Sequence, residues 1–468
     1  PTTVMINRRD IVVPVYADTP GRFLRTASGH PFPILGRAAW GLLNLSVVDR
    51  QIFWADTVPK GYNAIEIPIP MCDSAVSPNG PKTSAGDYPF TKRLDGQSWN
   101  GSITYTDINN EAPDFTQPNE PFWAFVDVLL TECQLRNLLV MMFPAYVGYA
   151  AGNGNSGWMR EMVANGATRM QTYGAWIATR YRTYPNVVWL LGGDYGSGSN
   201  SGTFTSSQLA VESALITGLT SVAPVKLMAA QWSDPTNGTD APTVGPLMTL
   251  SGAYSSRDSA GVAVQGRGRS AYGYSPTQPA FLIEEPYDED GPDGGNTNPY
   301  STQPVRRYQW WGWLSSIGGY VSANYYVWHF DTGGVWKAHL NSTGTQDMAR
   351  LNAFIRSIAW YNLVPDGLGA IGTLVTAGGG TLDSSTYVAA AATPDGSLLL
   401  AYVPPAHAGS ITIDMTKMRG TTRSRWFDPS NAAYVADATG LANMGTHAFM
   451  TPGNNAAGDA DWLLVLDA

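Results

Sequence analysis

Two acidic residues, each at the end of an apolar run, are the groups best placed to do chemistry. Asp194 follows the run over residues 186–193, and Glu285 follows the run that begins at residue 280. A carboxyl group at the end of a buried strand is held beside apolar material, which separates the pKa values of two neighbouring acids. One acid can then donate a proton while the other attacks. Such a pair favours cleavage of a glycosidic bond.

Eight apolar segments, separated mostly by helical patterns, must position these acids. This alternation predicts an α/β fold, a (β/α)8 TIM barrel, with Asp194 and Glu285 at the C-terminal ends of its fourth and seventh strands, where barrel enzymes place their active sites. Strands five and six have the weakest patterns. The predicted strands cover residues 33–40, 62–68, 137–143, 186–193, 225–231, 247–253, 280–285 and 319–328.

The pattern divides the chain into two domains. Residues 1–365 are predicted to form the barrel, preceded by a strand pair over 11–16 and 22–26. Residues 366–468 contain short alternating strands with Gly, Asn and Asp turns, which predicts a C-terminal antiparallel β-sandwich. The Pro-, Gly- and Asn-rich stretch 71–118 exceeds ordinary loop length, so it is either functional or a small subdomain.

Composition narrows the classes of partner. The 468 residues carry a net charge of -9, which argues against nucleic acid or an anionic membrane as partner. The chain has 16 Trp and 23 Tyr, and sugar sites use aromatic faces to stack rings. No run reaches the ~18 apolar residues of a membrane span. The first residues carry no signal-peptide pattern. If a signal peptide has been removed, we expect an extracellular or periplasmic location.

Thiols and histidines give no sign of a cofactor. Cys72 and Cys133 are the only cysteines, and two separate buried thiols are favoured over one bridge. The five histidines have no metal-ligand spacing. We therefore expect neither a metal ion nor another cofactor. The sequence leaves the oligomeric state open.

Several segments, in order, resemble the apiosidase-like glycoside hydrolase family, whose catalytic domain was formerly a domain of unknown function. The most specific are Gly192-Gly193-Asp194, within the matching stretch 173–194, and Glu285-Pro286-Tyr287. In that family the barrel is followed by a domain that carries a collagen-binding label. The other matching segments are residues 31–40, 60–65 and 426–429.

The resemblance implies a retaining glycoside hydrolase that acts on a polysaccharide side chain. It assigns the acid/base to Asp194 and the nucleophile to Glu285. One departure is Arg37, which stands where the family has an acidic residue before Ala39-Trp40. If Arg37 faces the pocket, it favours an acidic substrate. The alternative is that its side chain points outward, between strand and helix.

Each acid has a competing interpretation. Asp194 has an alternative role as a local cap for the glycine-rich loop that follows it. Glu285 competes with Glu284, because neighbouring strand residues point to opposite faces. Glu285 is favoured because the resemblance aligns it before Pro286, and Glu284 is then expected to pair with a cation of the next helix, such as Arg306 or Arg307.

Other residues near strand ends are expected to bind the substrate. His329 follows strand eight, where substrate contact and a structural role are equally open. A different class of function also stays open, a non-catalytic glycan-binding protein such as an adhesin or a virion-associated protein. The predicted substrate-binding residues are Trp40, Arg37, Glu66, Tyr146, Trp232, Tyr254, Trp328 and His329.

Overall fold

A small antiparallel sheet precedes the barrel. The structure is a computed structural model that describes residues 15–17, 21–72, 80–148, 157–195, 204–233, 235–255, 263–284, 287–289, 303–331 and 333–468. Residues 11–14 of the predicted strand pair lie outside these ranges. The sheet has the order β1-β2-β3, formed by β1 (Val15–Ala17), β2 (Leu24–Thr26) and β3 (Pro31–Phe32).

The apolar segments form the predicted barrel, a nearly closed sheet of nine strands in the order β8-β7-β6-β5-β4-β12-β11-β10-β9. Eight strands are parallel, and β9 is antiparallel to β10. Between β8 and β10 the Leu250 N–H donates to the Met228 carbonyl at 3.0 Å, which brings the two ends of the sheet together. The strands are β4 (Ile34–Ala38), β5 (Ala64–Pro68), β6 (Leu139–Phe143), β7 (Val187–Gly192), β8 (Met228–Gln231), β9 (Thr236–Asn237), β10 (Ser251–Tyr254), β11 (Ala280–Glu284) and β12 (Ile317–Ser322).

Helices connect the strands and begin at side chains that suit a helix N-terminus. Ser46 accepts the backbone N–H of Asp49, and Thr205 forms a capping box with Gln208. Asn119 precedes α3, and Pro121 lies in its first turn, where proline is tolerated. The helices are α1 (Val47–Thr57), α2 (Ile108–Glu111), α3 (Glu120–Leu135), α4 (Met159–Tyr181), α5 (Ser206–Thr220), α6 (Ala263–Gly273), α7 (Gln303–Ser316), α8 (Trp336–His339) and α9 (Thr343–Ser357).

Strand alternation sorts side chains into an inner and an outer layer. Along β6, Leu139 and Met141 join the cluster that fills the barrel interior. Val140 and Met142 join the cluster between the sheet and its helices. Because both faces are covered, most residues of the strands are apolar.

The long stretch after β5 is a packed subdomain in its described part. Phe90, Trp99 and Phe115 are buried against Trp158 at the start of α4, with ring centroids 5.5–6.4 Å from the Trp158 ring. Short bridges such as Phe90 to Pro118 hold it together. Cys72 and Cys133 are separate buried thiols, as expected.

The C-terminal part forms two antiparallel sheets with a shared core, which confirms the predicted sandwich. One sheet has the order β13-β15-β16-β21-β18-β19 and the other β14-β17-β20. The sequence pattern missed β13, β14, β19 and β20. The strands are β13 (Val364–Pro365), β14 (Val375–Ala377), β15 (Ala389–Ala392), β16 (Leu398–Val403), β17 (Ile411–Asp414), β18 (Thr422–Phe427), β19 (Tyr434–Leu441), β20 (Thr446–Phe449) and β21 (Trp462–Asp467).

The larger of these sheets also packs on the barrel, so its central strands are buried on both faces. Tyr402 of β16 stacks on Trp310 of α7, with ring centroids 5.9 Å apart. Phe427 of β18 packs on Phe354 of α9 at 4.8 Å. Arg306 of α7 forms buried ion pairs with Asp347 and, in the C-terminal domain, with Asp461. Arg306 is therefore already engaged by the two aspartates, and it joins the two domains.

Candidate active site

Asp194 lies at the C-terminal mouth of the barrel, directly after β7, on a backbone that only glycine adopts easily. Gly192, Gly193 and Asp194 have φ angles of 75°, 113° and 53°. A Cβ atom on Gly193 would lie 2.1 Å from the ring of Tyr146, and one on Gly192 would lie 2.2 Å from the carbonyl oxygen of Gln231. The two glycines therefore let the strand end approach its neighbours closely, and they aim Asp194 into the mouth.

Three side chains donate hydrogen bonds to the Asp194 carboxylate. The Tyr146 hydroxyl donates to Oδ2 at 3.0 Å, and Gln231 Nε2 donates to Oδ1 at 3.0 Å. The Tyr254 hydroxyl also donates to Oδ1. These donors come from the ends of three neighbouring or facing strands, so the carboxylate is fixed by the barrel rather than by its own loop. The arrangement differs from a local cap.

A second carboxylate is tied to the first through Gln231. Its Nε2 also donates to Glu284 Oε2, and the Tyr287 hydroxyl donates to Glu284 Oε1. We name Asp194, Glu284, Gln231, Tyr146, Tyr254 and Tyr287 the Asp194 cluster. Two oxygens that share one donor nitrogen lie within about 6 Å of each other, twice an ordinary hydrogen-bond length.

The inward position of Glu284 follows from an irregularity in strand pairing. Ala253 pairs with Leu282, but the next residue, Tyr254, pairs with Glu284. The extra residue, Ile283, makes a bulge in β11, and both Ile283 and Glu284 then contact the barrel interior. Simple alternation does not apply at this point. Glu285 lies outside the described residues, so its role stays a prediction.

Trp40 and Glu66 form a buried pair beside the Asp194 cluster. The indole N–H of Trp40 donates to Glu66 Oε1 at 3.1 Å, and each residue is at most 4% exposed. Burial, with a further contribution from the charge of Asp194, raises the pKa of Glu66 to about 8. Glu66 is therefore protonated at neutral pH and adds no charge to the site.

Aromatic rings form one wall of the mouth. Trp40 meets Tyr146 and Trp328 edge-on, with centroids 5.0 and 5.5 Å apart. Trp328 contacts Tyr287 at 5.9 Å, which joins this wall to the Asp194 cluster. His329 is half-buried against Trp328, and burial lowers its pKa. A neutral imidazole at neutral pH follows from this environment.

Two of the predicted substrate-binding residues lie elsewhere. Arg37 points to the outer face of β4, where it pairs with Asp56 of α1 at 2.7 Å and is 2% exposed. This is the outward orientation that the sequence left open, and it follows from alternation with the inward Ala38. The Trp232 indole donates to the Gly238 carbonyl at 2.8 Å and lines a separate cavity of about 310 Å³ with Phe204.

Sequence reasoning missed two members of the Asp194 cluster. Gln231 is the last residue of the predicted fifth strand, so the rule that selected the other strand ends would have found it. Tyr287 belonged to the Glu-Pro-Tyr segment but was not assigned to the site. Neither residue type signals catalysis by itself, because an amide or a phenol at a strand end is more often structural.

Gln231 Oε1, an acceptor, and the indole nitrogen of Trp328, a donor, are buried at the site and have no hydrogen-bond partner among the described residues. A buried unpaired polar atom costs free energy that a ligand can recover. A sugar hydroxyl both donates and accepts, so it suits both atoms. In the described ranges no group of three or more His, Cys, Asp or Glu is arranged to hold a metal ion.

Comparison with protein families decides the class. The model of the family described as "Apiosidase-like, catalytic domain" matches residues 18–362. The chain belongs to the apiosidase-like family. The model described as "Putative collagen-binding domain of a collagenase" matches residues 377–467. The protein is therefore a glycoside hydrolase whose substrate is a carbohydrate, which is the first of the two classes that the sequence left open.

Solved structures agree with this apiosidase-like fold. A structure described as a glycoside hydrolase has a TM-score of 0.71 at 18% identity, with 97% of this chain and 96% of that chain covered. A glycoside hydrolase family 5 structure from Bacteroides vulgatus has a TM-score of 0.73 at 18% identity, with coverage of 97% and 92%. The curated proteins contain no match. Of the helices that the structure describes, none is both long and apolar enough to cross a membrane.

Proposed function

We propose that the protein is a retaining glycosidase that uses Asp194 as acid/base and a glutamate at the end of the seventh strand as nucleophile. The observation that supports this is the Gln231 amide, which contacts Asp194 Oδ1 and Glu284 Oε2 at once. The resulting separation of about 6 Å or less is compatible with the roughly 5–5.5 Å of retaining pairs. Inverting pairs lie farther apart, to leave room for a water molecule.

Two adjacent glutamates compete for the nucleophile. The family resemblance favours Glu285, which stands before Pro286 as in the family motif. The geometry of the described residues supports Glu284, which the β11 bulge brings to the Asp194 cluster. The proposal of a retaining pair holds with either residue, and matched variants decide between them.

The chemistry proceeds in two steps. In the first, the glutamate carboxylate attacks the anomeric carbon while protonated Asp194 gives its proton to the leaving oxygen. In the second, ionised Asp194 takes a proton from water, which attacks the glycosyl-enzyme and releases the sugar. Tyr146 and Tyr254 can serve both forms of Asp194, because a phenol hydroxyl both donates and accepts hydrogen bonds.

The substrate proposed is a side-chain sugar of a polysaccharide. Trp328 Nε1 and Gln231 Oε1 supply an unpaired donor and acceptor for its hydroxyls. Arg37 is engaged by Asp56 on the outer face of the sheet, so it gives no reason to expect an acidic sugar in this site. The aromatic wall around Trp40 supplies apolar contact area for the ring.

Variants of the three carboxylates test the proposal. We expect Asp194→Asn, and one of Glu284→Gln and Glu285→Gln, to lose more than nine-tenths of kcat/KM, because each change removes a reacting group without changing its volume. Sugar released from nitrophenyl glycosides and from plant and bacterial polysaccharides is measured by chromatography, and the first-formed anomer by NMR.

Each of the two Gln variants is the matched control for the other. If both keep more than about a tenth of the wild-type kcat/KM, a loss under roughly 1.4 kcal/mol, the seventh strand does not supply the nucleophile. Release of the inverted anomer would exclude a retaining mechanism. Activity retained by Asp194→Asn would remove the acid/base assignment.

A further inference from the structure

A second cavity lies at the opposite end of the barrel from Asp194. Its volume is about 580 Å³, and we name it the basal cavity. Its walls are residues that come just before strands β4, β5 and β6, together with the segment at the end of α9. Asp194 follows the C-terminal end of β7, so the length of a strand, about 20 Å at ~3.3 Å per residue, separates the two sites.

The charged residues of the basal cavity are basic. The described lining includes Arg136 and Arg356 with His30, and it includes no Asp or Glu. Arg136 donates hydrogen bonds to two uncharged oxygens, the backbone carbonyl of Glu132 at 2.8 Å and the side-chain amide oxygen of Gln51 at 2.6 Å. The nearby Glu132 carboxylate is already bonded by Arg50 and Trp54. On a chain with net charge -9, such a cavity is a local positive region.

Arg356 is the cation most open to a ligand. It lies in the last turn of α9, is exposed, and has no hydrogen-bond or ion-pair partner among the described residues. Its guanidinium rests against Gly61, where a Cβ atom would lie 2.5 Å from Nη1. Gly61, with φ at 82°, therefore leaves the space that the guanidinium occupies at the cavity wall.

Aromatic rings supply the apolar part of the wall. Trp360 and Tyr361 line the cavity, and both pack against Phe23, with centroids 5.7 and 5.5 Å from its ring. The rings are thus fixed before a ligand arrives. A planar fork of N–H donors beside aromatic surface suits a compact molecule that carries a carboxylate on an apolar ring face.

We propose that the basal cavity binds a uronate residue of a polysaccharide, at a distance from the catalytic site. The cations select the carboxylate, the rings contact the sugar, and the volume lies within the ~300–1,000 Å³ of small-molecule sites. The choice of a sugar as ligand rests on the glycoside hydrolase function. A second sugar site on the far side of the barrel would hold the enzyme on an acidic polymer while the mouth acts on the side chains of that polymer.

Calorimetric titration of the full-length Asp194→Asn variant tests the inference without turnover. The probes are tri-galacturonate, its methyl ester and inorganic phosphate. We expect tri-galacturonate to bind, and the other two to bind at least about tenfold more weakly. Adding Arg356→Gln should weaken tri-galacturonate binding about tenfold, whereas Arg356→Lys, which keeps the charge, should lose less. Arg182→Gln, an exposed arginine on the same end of the barrel, is the control and should change nothing.

Four outcomes would overturn the inference: no binding of tri-galacturonate, equal binding of the methyl ester, equal binding of phosphate, or no effect of Arg356→Gln. These outcomes are distinct from failure of the proposed function. Binding is measured on a variant that cannot turn over substrate. The basal cavity can therefore bind tri-galacturonate whether or not the wild-type protein is a glycosidase. If the enzyme is active but does not bind tri-galacturonate, the proposed function stands and only the basal site is rejected.

Discussion

Glu66 is an acid that the barrel interior holds in its neutral form. Its pKa is about 8 in the folded protein, because it is buried and lies near Asp194. An unfolded glutamate has a pKa near 4.5. The folded state therefore binds a proton more tightly, and the contribution of Glu66 to the free energy of unfolding is full below pH 4.5 and is lost as the pH rises through about 8.

Glu66→Gln should remove this dependence on pH. We expect the Tm of the wild type to fall more than that of the variant between pH 5 and 9, by about 2 °C or more at the upper end. Calorimetry over this range measures the difference. Glu120→Gln is the control, because its exposed carboxyl pairs with Arg180, which lowers its pKa. Its stabilising effect is lost only at acid pH. A constant difference between wild type and Glu66→Gln would contradict the assignment.

At Gly193, the absence of a Cβ atom allows the close approach of Tyr146 that positions Asp194. A Cβ there would lie 2.1 Å from the Tyr146 ring, whose hydroxyl holds Asp194. We expect Gly193→Ala to lower kcat about a hundredfold, because displacing a positioning group by about 1 Å has that effect. Steady-state kinetics on released sugar gives the value.

The control for this change is Gly86→Ala. Gly86 also has a positive φ, 94°, but a Cβ there meets nothing within 4 Å. It tests the backbone strain without the clash. Equal losses in the two variants would mean that strain alone, and not the Tyr146 contact, explains the effect.

Among the elements, β4 and α1 are joined by a buried charge pair. Arg37 pairs with Asp56 at 2.7 Å, donates to Thr57 at 2.8 Å and lies over the rings of Phe53 and Tyr62. The guanidinium thus replaces the family's acidic residue with a link between strand and helix. Its role is to hold the first βα unit together.

Arg37→Ala should therefore change stability and not substrate choice. Removing one partner of a buried pair costs about 3–5 kcal/mol, although Lys60 remains bonded to Asp56 and reduces the loss. We expect a lower Tm and equal kcat/KM ratios between neutral and acidic glycosides. Arg182→Ala, which changes an exposed arginine, is the control. A selective loss on acidic glycosides would place Arg37 in the pocket instead.

In the whole molecule, a buried ionic hub joins the barrel to the sandwich. Arg306 is 1% exposed and pairs with Asp347, Asp459 and Asp461, and Tyr402 donates to Asp461 at 2.8 Å. The motif Trp426-Phe427-Asp428-Pro429 has buried Trp426, Phe427 and Asp428, and Phe427 contacts α9. The C-terminal domain thus uses this motif for packing.

We expect the chain to unfold in one calorimetric transition, because the shared core and the hub couple the domains. Arg306→Met should lower the Tm by about 5 °C, since it leaves the buried Asp461 without its cation, whereas Asp347 keeps its ion pair with Arg350. Arg423→Ala is the control, because its pair with Asp437 is more than 40% exposed on both sides and such pairs contribute little. Two separate transitions in the wild type would contradict the coupling.

The sequence by itself determined the architecture and part of the site. Strands buried on both faces are mostly apolar, so β4 to β8 and β10 to β12 were visible as largely apolar runs, including the weakly patterned fifth and sixth. The segment Gly192-Gly193-Asp194 marked the end of the fourth strand. The order of strands then predicted that Asp194 and the end of the seventh strand lie at one mouth.

The tertiary structure decided which side chains reach that mouth. The β11 bulge turns Glu284 inward, and a bulge depends on the register with β10, which local periodicity does not contain. Gln231, at the end of β8, bridges Asp194 after β7 and Glu284 in β11. This bridge forms only when the barrel closes and brings β8 near β11. Arg37 points outward from β4 and pairs with Asp56 because the packing of α1 on the sheet places Asp56 beside it. Contacts between distant segments are set by three-dimensional packing, and that is why the sequence pattern could not supply them.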